Sequence, residues 1–199
     1  MKKVLIIGGA GYVGTELVIS LLEKKNNYIV GVYDLFIYGN NFSKNSRLNL
    51  INGDVRDLTK LKSIIKDYNY IIHLACISND PSFELNPNLG KDINFSCFEP
   101  LVKIAKDSGI EKFIYASSSS VYGVKPEQNV TEDSTLEPIT DYSKFKAMCE
   151  DVLLKYGDDN FSITILRPAT VCGYSKRQRF DLVVNILTNH AYNNRKITI

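Results

Sequence analysis

A chain of 199 residues is enough for one domain of ordinary size, and 44% hydrophobic with 23% charged residues places it among folded rather than disordered proteins. Lys plus Arg number 24 against 22 Asp plus Glu, and a net charge of +2 is too balanced to mark a nucleic-acid or membrane partner. No apolar run approaches the ~18 residues of a membrane span, and the run from Val4 to Ile7 is cut short by Gly8 before it reaches the length of a secretory leader.

Taken in chain order, two periods alternate. Residues 3–7 form a continuous apolar run that stops at glycine, as a strand buried on both faces does. Residues 14–24 carry Leu17, Leu21 and Leu22 at helical spacing after Val13. Strands are expected at 28–33, 48–52, 70–74, 112–117 and 161–166, and helices at 58–67, 94–108 and 141–156, with His190 on a terminal helix. Strands alternating with helices imply parallel pairing through crossovers, so the expected fold is α/β: a doubly wound parallel sheet of six or seven strands. Residues 38–47, 78–89 and 124–140, rich in Asn, Ser and Pro, read as loops.

Gly8, Gly11 and Gly14 stand as G-x-x-G-x-x-G between the first strand and the first helix. Such a turn lets the backbone approach a pyrophosphate, and the helix N-terminus offers it unpaired N–H groups. Asp34 ends the second strand 20 residues after Gly14, where a carboxylate accepts hydrogen bonds from adenosine ribose hydroxyls and repels a 2′-phosphate. NAD is therefore expected over NADP. Asp54 follows the third strand, where it is either a contact for the adenine edge or a turn residue.

Tyr142 and Lys146 are four apart on one helix and share a face. A cation ~4 Å from a phenol at an effective dielectric of ~20 is worth about 4 kcal/mol, roughly three pKa units, enough to make tyrosine a general base. The run Ser117-Ser118-Ser119-Ser120 closes the fifth strand, and ligands gather at the carboxyl ends of strands in such sheets. His73 reads as a core histidine, since no second ligand is spaced to join it in a metal site. Cys76, Cys97, Cys149 and Cys172 lack C-x-x-C spacing and read as buried thiols in a reducing cytoplasm. The cluster Lys176-Arg177-Arg179 is either a solvated turn or a contact for a substrate diphosphate.

These motifs stand in order. With His73-Leu74-Ala75, Asn94 and Leu166-Arg167-Pro168 they make the chain resemble the extended short-chain dehydrogenases/reductases, and among them the NAD-dependent nucleotide-sugar epimerase/dehydratase family. The resemblance implies a Rossmann-type sheet, a tightly held NAD and transient oxidation of a sugar hydroxyl, usually at C4. By position it makes Tyr142 the base, Ser118 the residue that orients substrate, and Lys146 the ribose-binding, pKa-lowering lysine. Cofactor contacts are implied at Gly8, Gly11, Tyr12, Val13, Gly14, Asp34, Asp54, Val55, Leu74, Ala75, Asn94, Tyr142, Lys146 and Pro168. Substrate contacts are implied at Ser118, Ser119, Ser120, Thr170, Arg177, Arg179 and Asn185, and no metal is implied.

The family's 4,6-dehydratases carry Asp-Glu directly after the Ser/Thr, and its 3,5-epimerases a cysteine nearby. Ser119 and Ser120 occupy those positions here, which favours a 4-epimerase or C4 dehydrogenase acting on a nucleotide sugar. Residues 1–166 are read as the NAD-binding domain with the catalytic set. Residues 167–199 are read as only the start of the C-terminal substrate-binding part, apparently truncated, since family members usually run to 300 residues or more. The alternative is a catalytically silent NAD-binding module or a fragment. The resemblance also implies a homodimer through a four-helix interface, built from Phe95, Phe98, Leu101, Val102 and Ala105 on one helix and Phe145, Met148, Val152 and Leu153 on the other.

Overall fold

The structure is a computed structural model that describes residues 1–23, 27–78 and 80–198. Its strands are Lys3–Ile7 (β1), Ile29–Asp34 (β2), Leu48–Asn52 (β3), Tyr70–His73 (β4), Lys112–Ala116 (β5) and Ser162–Leu166 (β6). They form one sheet in the order β3-β2-β1-β4-β5-β6, each neighbouring pair parallel. The order reverses between β1 and β4, which opens a crevice at the carboxyl ends of both.

The continuous apolar run of β1 is explained by its two faces. Val4 and Ile6 pack with Val30, Val32 and Val18 beneath the first helix, Tyr12–Glu23 (α1). Leu5 and Ile7 face the other way, into a larger core with Leu61, Ile65, Leu101, Val102, Cys149 and Leu153. That side is covered by Leu58–Ile65 (α2), Phe98–Asp107 (α5) and Asp141–Tyr156 (α6). Side chains alternate across a strand, so only a strand sandwiched by helices can be apolar throughout.

Local signals set the helix starts. Asp57 caps α2 by accepting from Lys60 N at 3.0 Å. Thr140 and Ser143 form a reciprocal capping box that opens α6 where the sequence predicts it. Two expectations need correction. Residues 78–89 are not a loop throughout: Asp80–Leu85 (α3) and Pro87–Lys91 (α4) are short helices, the second started by the Asn86 cap and Pro87. The helix expected at 94–108 is split, with a π-helical stretch at Asp92–Ser96 before α5. The expected helix end at residue 24, position 79 of the expected loop and residue 199 lie outside the described residues. Val183–Asn194 forms the terminal helix (α7) and carries His190.

All four cysteines are free; Cys97 and Cys149 are buried, Cys76 is half-buried and Cys172 is exposed, so the expectation of buried thiols is corrected for the last. Among the described residues no helix is long and apolar enough to cross a membrane.

Candidate active site

The glycine turn sits at the carboxyl end of β1. Gly8 has φ +85°, and a Cβ on it would collide with the Ala75 backbone at the end of β4. Gly14 must likewise be glycine, because a Cβ there would stand 2.6 Å from Gly9 Cα. Both are accounted for by the chain's own packing. Gly11 is different: a Cβ on it would meet only Gly8 O, at an ordinary 3.4 Å. The chain leaves room beside the N-terminus of α1 that its fold does not require, as a bound pyrophosphate does require. α1 has no acidic residue in its first turn to repel an anion. The residues present therefore fit a dinucleotide.

Asp34 accepts from Ala10 N at 3.0 Å through Oδ2 and from Phe36 N at 2.9 Å through Oδ1. Each oxygen keeps a lone pair for a hydroxyl. Asp54 is held by Arg56, whose backbone N, Nε and Nη2 donate to it at 2.8, 2.9 and 2.5 Å; that pair keeps the Asp54 carboxyl below its usual range. Its side chain thus takes part in the turn, and Oδ2 keeps a lone pair. Val55 is buried beside it. Leu74 N and Ala75 N both donate to Ile7 O, at 2.8 and 2.9 Å, which brings the end of β4 against the glycine turn. The Asn94 amide accepts from Ile77 N at 2.8 Å and donates to Ile77 O at 3.0 Å. The π-helical stretch aims it there, fixing the segment that follows β4. No residue-spacing rule signals a π-turn, so the sequence could name Asn94 but not this geometry.

Ser118 is the second serine of the run after β5 and caps the short 3₁₀ helix Ser119–Tyr122. Ser120 N and Ser120 Oγ donate to Ser118 Oγ at 3.2 and 2.9 Å. With its acceptor sites taken, Ser118 has its own O–H left to give to a substrate oxygen. Ser119 N donates to Pro168 O at 3.0 Å, which joins that turn to the chain leaving β6.

Lys146 is only 4% exposed, yet among the described residues no carboxylate pairs with it. Its Nζ donates to Ala116 O at 2.6 Å. The cation lies 4.8 Å from the Tyr115 ring centre and 5.7 Å from that of Tyr142. His73 is buried beneath, stacked on Tyr115, and among the described residues its Nδ1 has no hydrogen-bond partner. Burial, and secondarily the Lys146 charge, push its pKa down to about 3. It is the neutral core histidine that the sequence suggests.

The segment after β6 folds back over α1. Tyr12 OH donates to Gly173 O at 2.8 Å, Ser175 Oγ donates to Tyr12 O at 2.9 Å, and Lys176 N donates to Glu16 at 2.9 Å. The Asn185 amide donates to Tyr12 OH and Arg179 O and accepts from Gly173 N, so its hydrogen bonds go to this clamp. Arg179 pairs with Asp181, and that hydrogen-bonded carboxylate raises the guanidinium above its ordinary range; it also donates to Ser78 Oγ at 2.9 Å. Arg177 stacks on the Tyr38 ring at 3.6 Å. Thr170 and Val13 are exposed. The sequence reading missed the buried carboxylate of Glu150, joined to Ser117 and Arg167; the only signal was its i+4 spacing from Lys146.

A doubly wound sheet with a glycine turn at its switch point and a Tyr-x-x-x-Lys helix over the strand ends defines a dinucleotide-binding α/β architecture. The chain belongs to the NAD dependent epimerase/dehydratase family, whose model matches residues 4–199. It is similar to the UDP-glucose 4-epimerase of Lactobacillus helveticus, 28% identical over 99% of this chain and 62% of that protein. It is also similar to the dTDP-D-glucose 4,6-dehydratase of Mus musculus, 28% identical over 100% of this chain and 58% of that one. Among solved structures, the UDP-glucuronic acid 4-epimerase from Bacillus cereus in complex with NAD superimposes with a TM-score of 0.82 at 30% identity, covering 99% of this chain and 65% of that one. The chain thus spans 58–62% of the length of these two curated relatives.

Proposed function

We propose that residues 1–166 bind NAD and carry the catalytic set of a nucleotide-sugar C4 epimerase or C4 dehydrogenase, and that residues 167–199 open its substrate-binding part. The observation that carries this reading is Lys146, a buried cation beside Tyr142 with which no carboxylate pairs among the described residues. Burying an unpaired charge costs stability, and such groups cluster where chemistry needs them.

When bound, NAD supplies the hydride acceptor for carbon 4 of the sugar. Gly8, Gly11, Gly14, Tyr12 and Val13 shape the turn for its pyrophosphate, Asp34 receives the adenosine ribose, and Leu74, Ala75, Asn94 and Pro168 line the strand ends. Lys146 holds the nicotinamide ribose and favours the ionised form of Tyr142. Tyr142 takes the proton of the C4 hydroxyl, and Ser118 donates to that oxygen and orients it. Ser119 and Ser120 carry hydroxyls too weakly acidic and basic to remove water, so epimerisation or net dehydrogenation is favoured over 4,6-dehydration. Arg177 and Arg179 reach a diphosphate only by leaving Tyr38 and Asp181. Free thiols suit a reducing cytoplasm.

Calorimetric titration with NAD, followed by product analysis with a panel of UDP- and dTDP-sugars, tests the reading. Joined to a complete substrate-binding part, the chain should form C4 epimers or a C4 ketone, whereas residues 1–199 alone should bind NAD with little or no turnover. NAD binding without turnover by the joined form would mark a silent NAD-binding module instead.

A further inference from the structure

One carboxylate that the proposed reaction leaves unused ties the serine run after β5 and the segment after β6 to α6. Glu150 lies one turn beyond Lys146 on α6 and is 1% exposed. Ser117 Oγ donates to its Oε1. Arg167 Nε donates to Oε1 and Oε2 at 3.2 and 3.0 Å, and Nη2 to Oε2 at 2.6 Å. The remaining arm of Arg167, Nη1, donates to Tyr122 OH at 3.0 Å and to Glu132 O at 3.1 Å.

The partners decide what this network does. Ser117 immediately precedes Ser118, and Tyr122 ends the 3₁₀ turn that Ser118 caps. Arg167 precedes Pro168, whose carbonyl receives Ser119 N. Glu150 itself rides on the helix that carries Tyr142 and Lys146. The Lys146 bond to Ala116 O is a single hydrogen bond to the end of β5; a forked guanidinium–carboxylate pair fixes angle as well as distance. Cohesion alone does not call for the pair, since apolar residues of similar volume serve a core equally well.

Given the proposed function, on which this rests, we infer that the Glu150–Arg167 pair is a positioning device that holds the Ser118 turn in register with Tyr142 and Lys146. It takes no part in proton transfer. A displacement of about 1 Å at such a site can cost ~10²-fold in rate, which is why a rigid link is placed here.

The test uses the full chain and two changes. The double variant Glu150→Met/Arg167→Met removes both charges at similar volume and is expected to fold. Glu150→Asp keeps both charges, shortens the reach by one methylene and carries the same test at smaller amplitude. Three quantities are read: NAD affinity, the ultraviolet titration of Tyr142 with NAD bound (the difference from Tyr142→Phe in each background), and kcat with KM. NAD affinity should be unchanged. The Tyr142 titration should move up by about one pH unit as the Ser118 hydroxyl loses its alignment with the phenolate, and kcat should fall about 10–100-fold with KM little altered. Folded variants with an unmoved titration and unchanged kcat would overturn the inference and leave the functional reading intact. A titration that moves in a wild-type background turning over no nucleotide sugar would sustain the inference and overturn the functional reading.

Discussion

Lys146 Nζ stands 5.7 Å from the centre of the Tyr142 ring, one helical turn away, with its proton donated to the Ala116 carbonyl at the end of β5. The lysine is thus fixed from below by the sheet and from the side by its own helix. Tyr142→Phe removes the transferable proton with little change of shape. NAD should still bind while turnover falls by about 10²–10⁴, the scale for a lost general base. Lys146→Met should abolish turnover, weaken NAD binding and, by deleting a buried unpaired cation, raise the stability of the NAD-free chain by about 1 kcal/mol. Stopped-flow reduction of NAD, calorimetry and urea titration check the three; near-full activity of Tyr142→Phe would remove Tyr142 from the mechanism.

Two glycines of one motif should respond differently. Gly8→Ala places a side chain at φ +85° against Ala75, so it should cost about 2 kcal/mol or more of stability. Gly11→Ala meets no obstacle in the chain and should leave the urea midpoint unchanged, yet weaken NAD binding by about tenfold or more. Equal NAD affinity for Gly11→Ala and wild type would place the pyrophosphate elsewhere.

Asp34 has a double attachment, to the turn through Ala10 N and to the following loop through Phe36 N. Asp34→Ser should therefore lower stability by about 1 kcal/mol for the lost hydrogen bonds. It should also weaken NAD binding and narrow its advantage over NADP, since the repelling carboxylate is gone. Parallel titrations with the two dinucleotides read this directly. Tighter NADP than NAD binding by the unaltered chain would reverse the assignment.

His73 makes stability depend on pH. The folded chain keeps it neutral down to about pH 3, whereas the unfolded imidazole titrates near ~6.5. Between those values the unfolded state binds more protons, so stability falls as pH falls, by about 1.4 kcal/mol per pH unit for one full proton. His73→Leu, of similar bulk, should flatten the acid limb by about one proton between roughly pH 6 and pH 4. Urea midpoints across that range measure it, and an unchanged slope would mean that His73 becomes protonated in place.

The helix pair expected to meet a second copy is largely spent within the chain. Phe98, Leu101, Val102, Ala105, Val152 and Leu153 are buried in the sheet-side core, and Phe95 stacks on Phe145 at 5.5 Å. What α6 presents outward is Met148, 41% exposed, and Leu154, 62% exposed. If α6 pairs with a second copy, Met148→Glu with Leu154→Glu should give a folded monomer where the unaltered chain is a dimer by light scattering. A monomer in both would end the proposal.

The sequence by itself determined the parallel α/β fold and set its candidate site residues at strand ends and on one helix face. Both follow from short-range physics: the run from Val4 to Ile7 needs two covered faces, Gly8 to Gly14 makes a turn, and the four-residue interval from Tyr142 to Lys146 puts two side chains on one helix face. Asp34 could be placed at the end of β2 because strand and motif lengths are fixed. Only the tertiary structure decided how these pieces are held. The Glu150–Arg167 pair joins positions 17 residues apart, Tyr12 and Asn185 positions 173 apart, and Asn94 and Ile77 positions 17 apart through a π-turn. Periodicity and spacing report only on neighbours along the chain, whereas these contacts depend on which strands lie side by side. The same reason separates Gly11 from Gly8 and Gly14: in the sequence they are three equivalent glycines, and only the folded backbone shows which two the chain needs for itself.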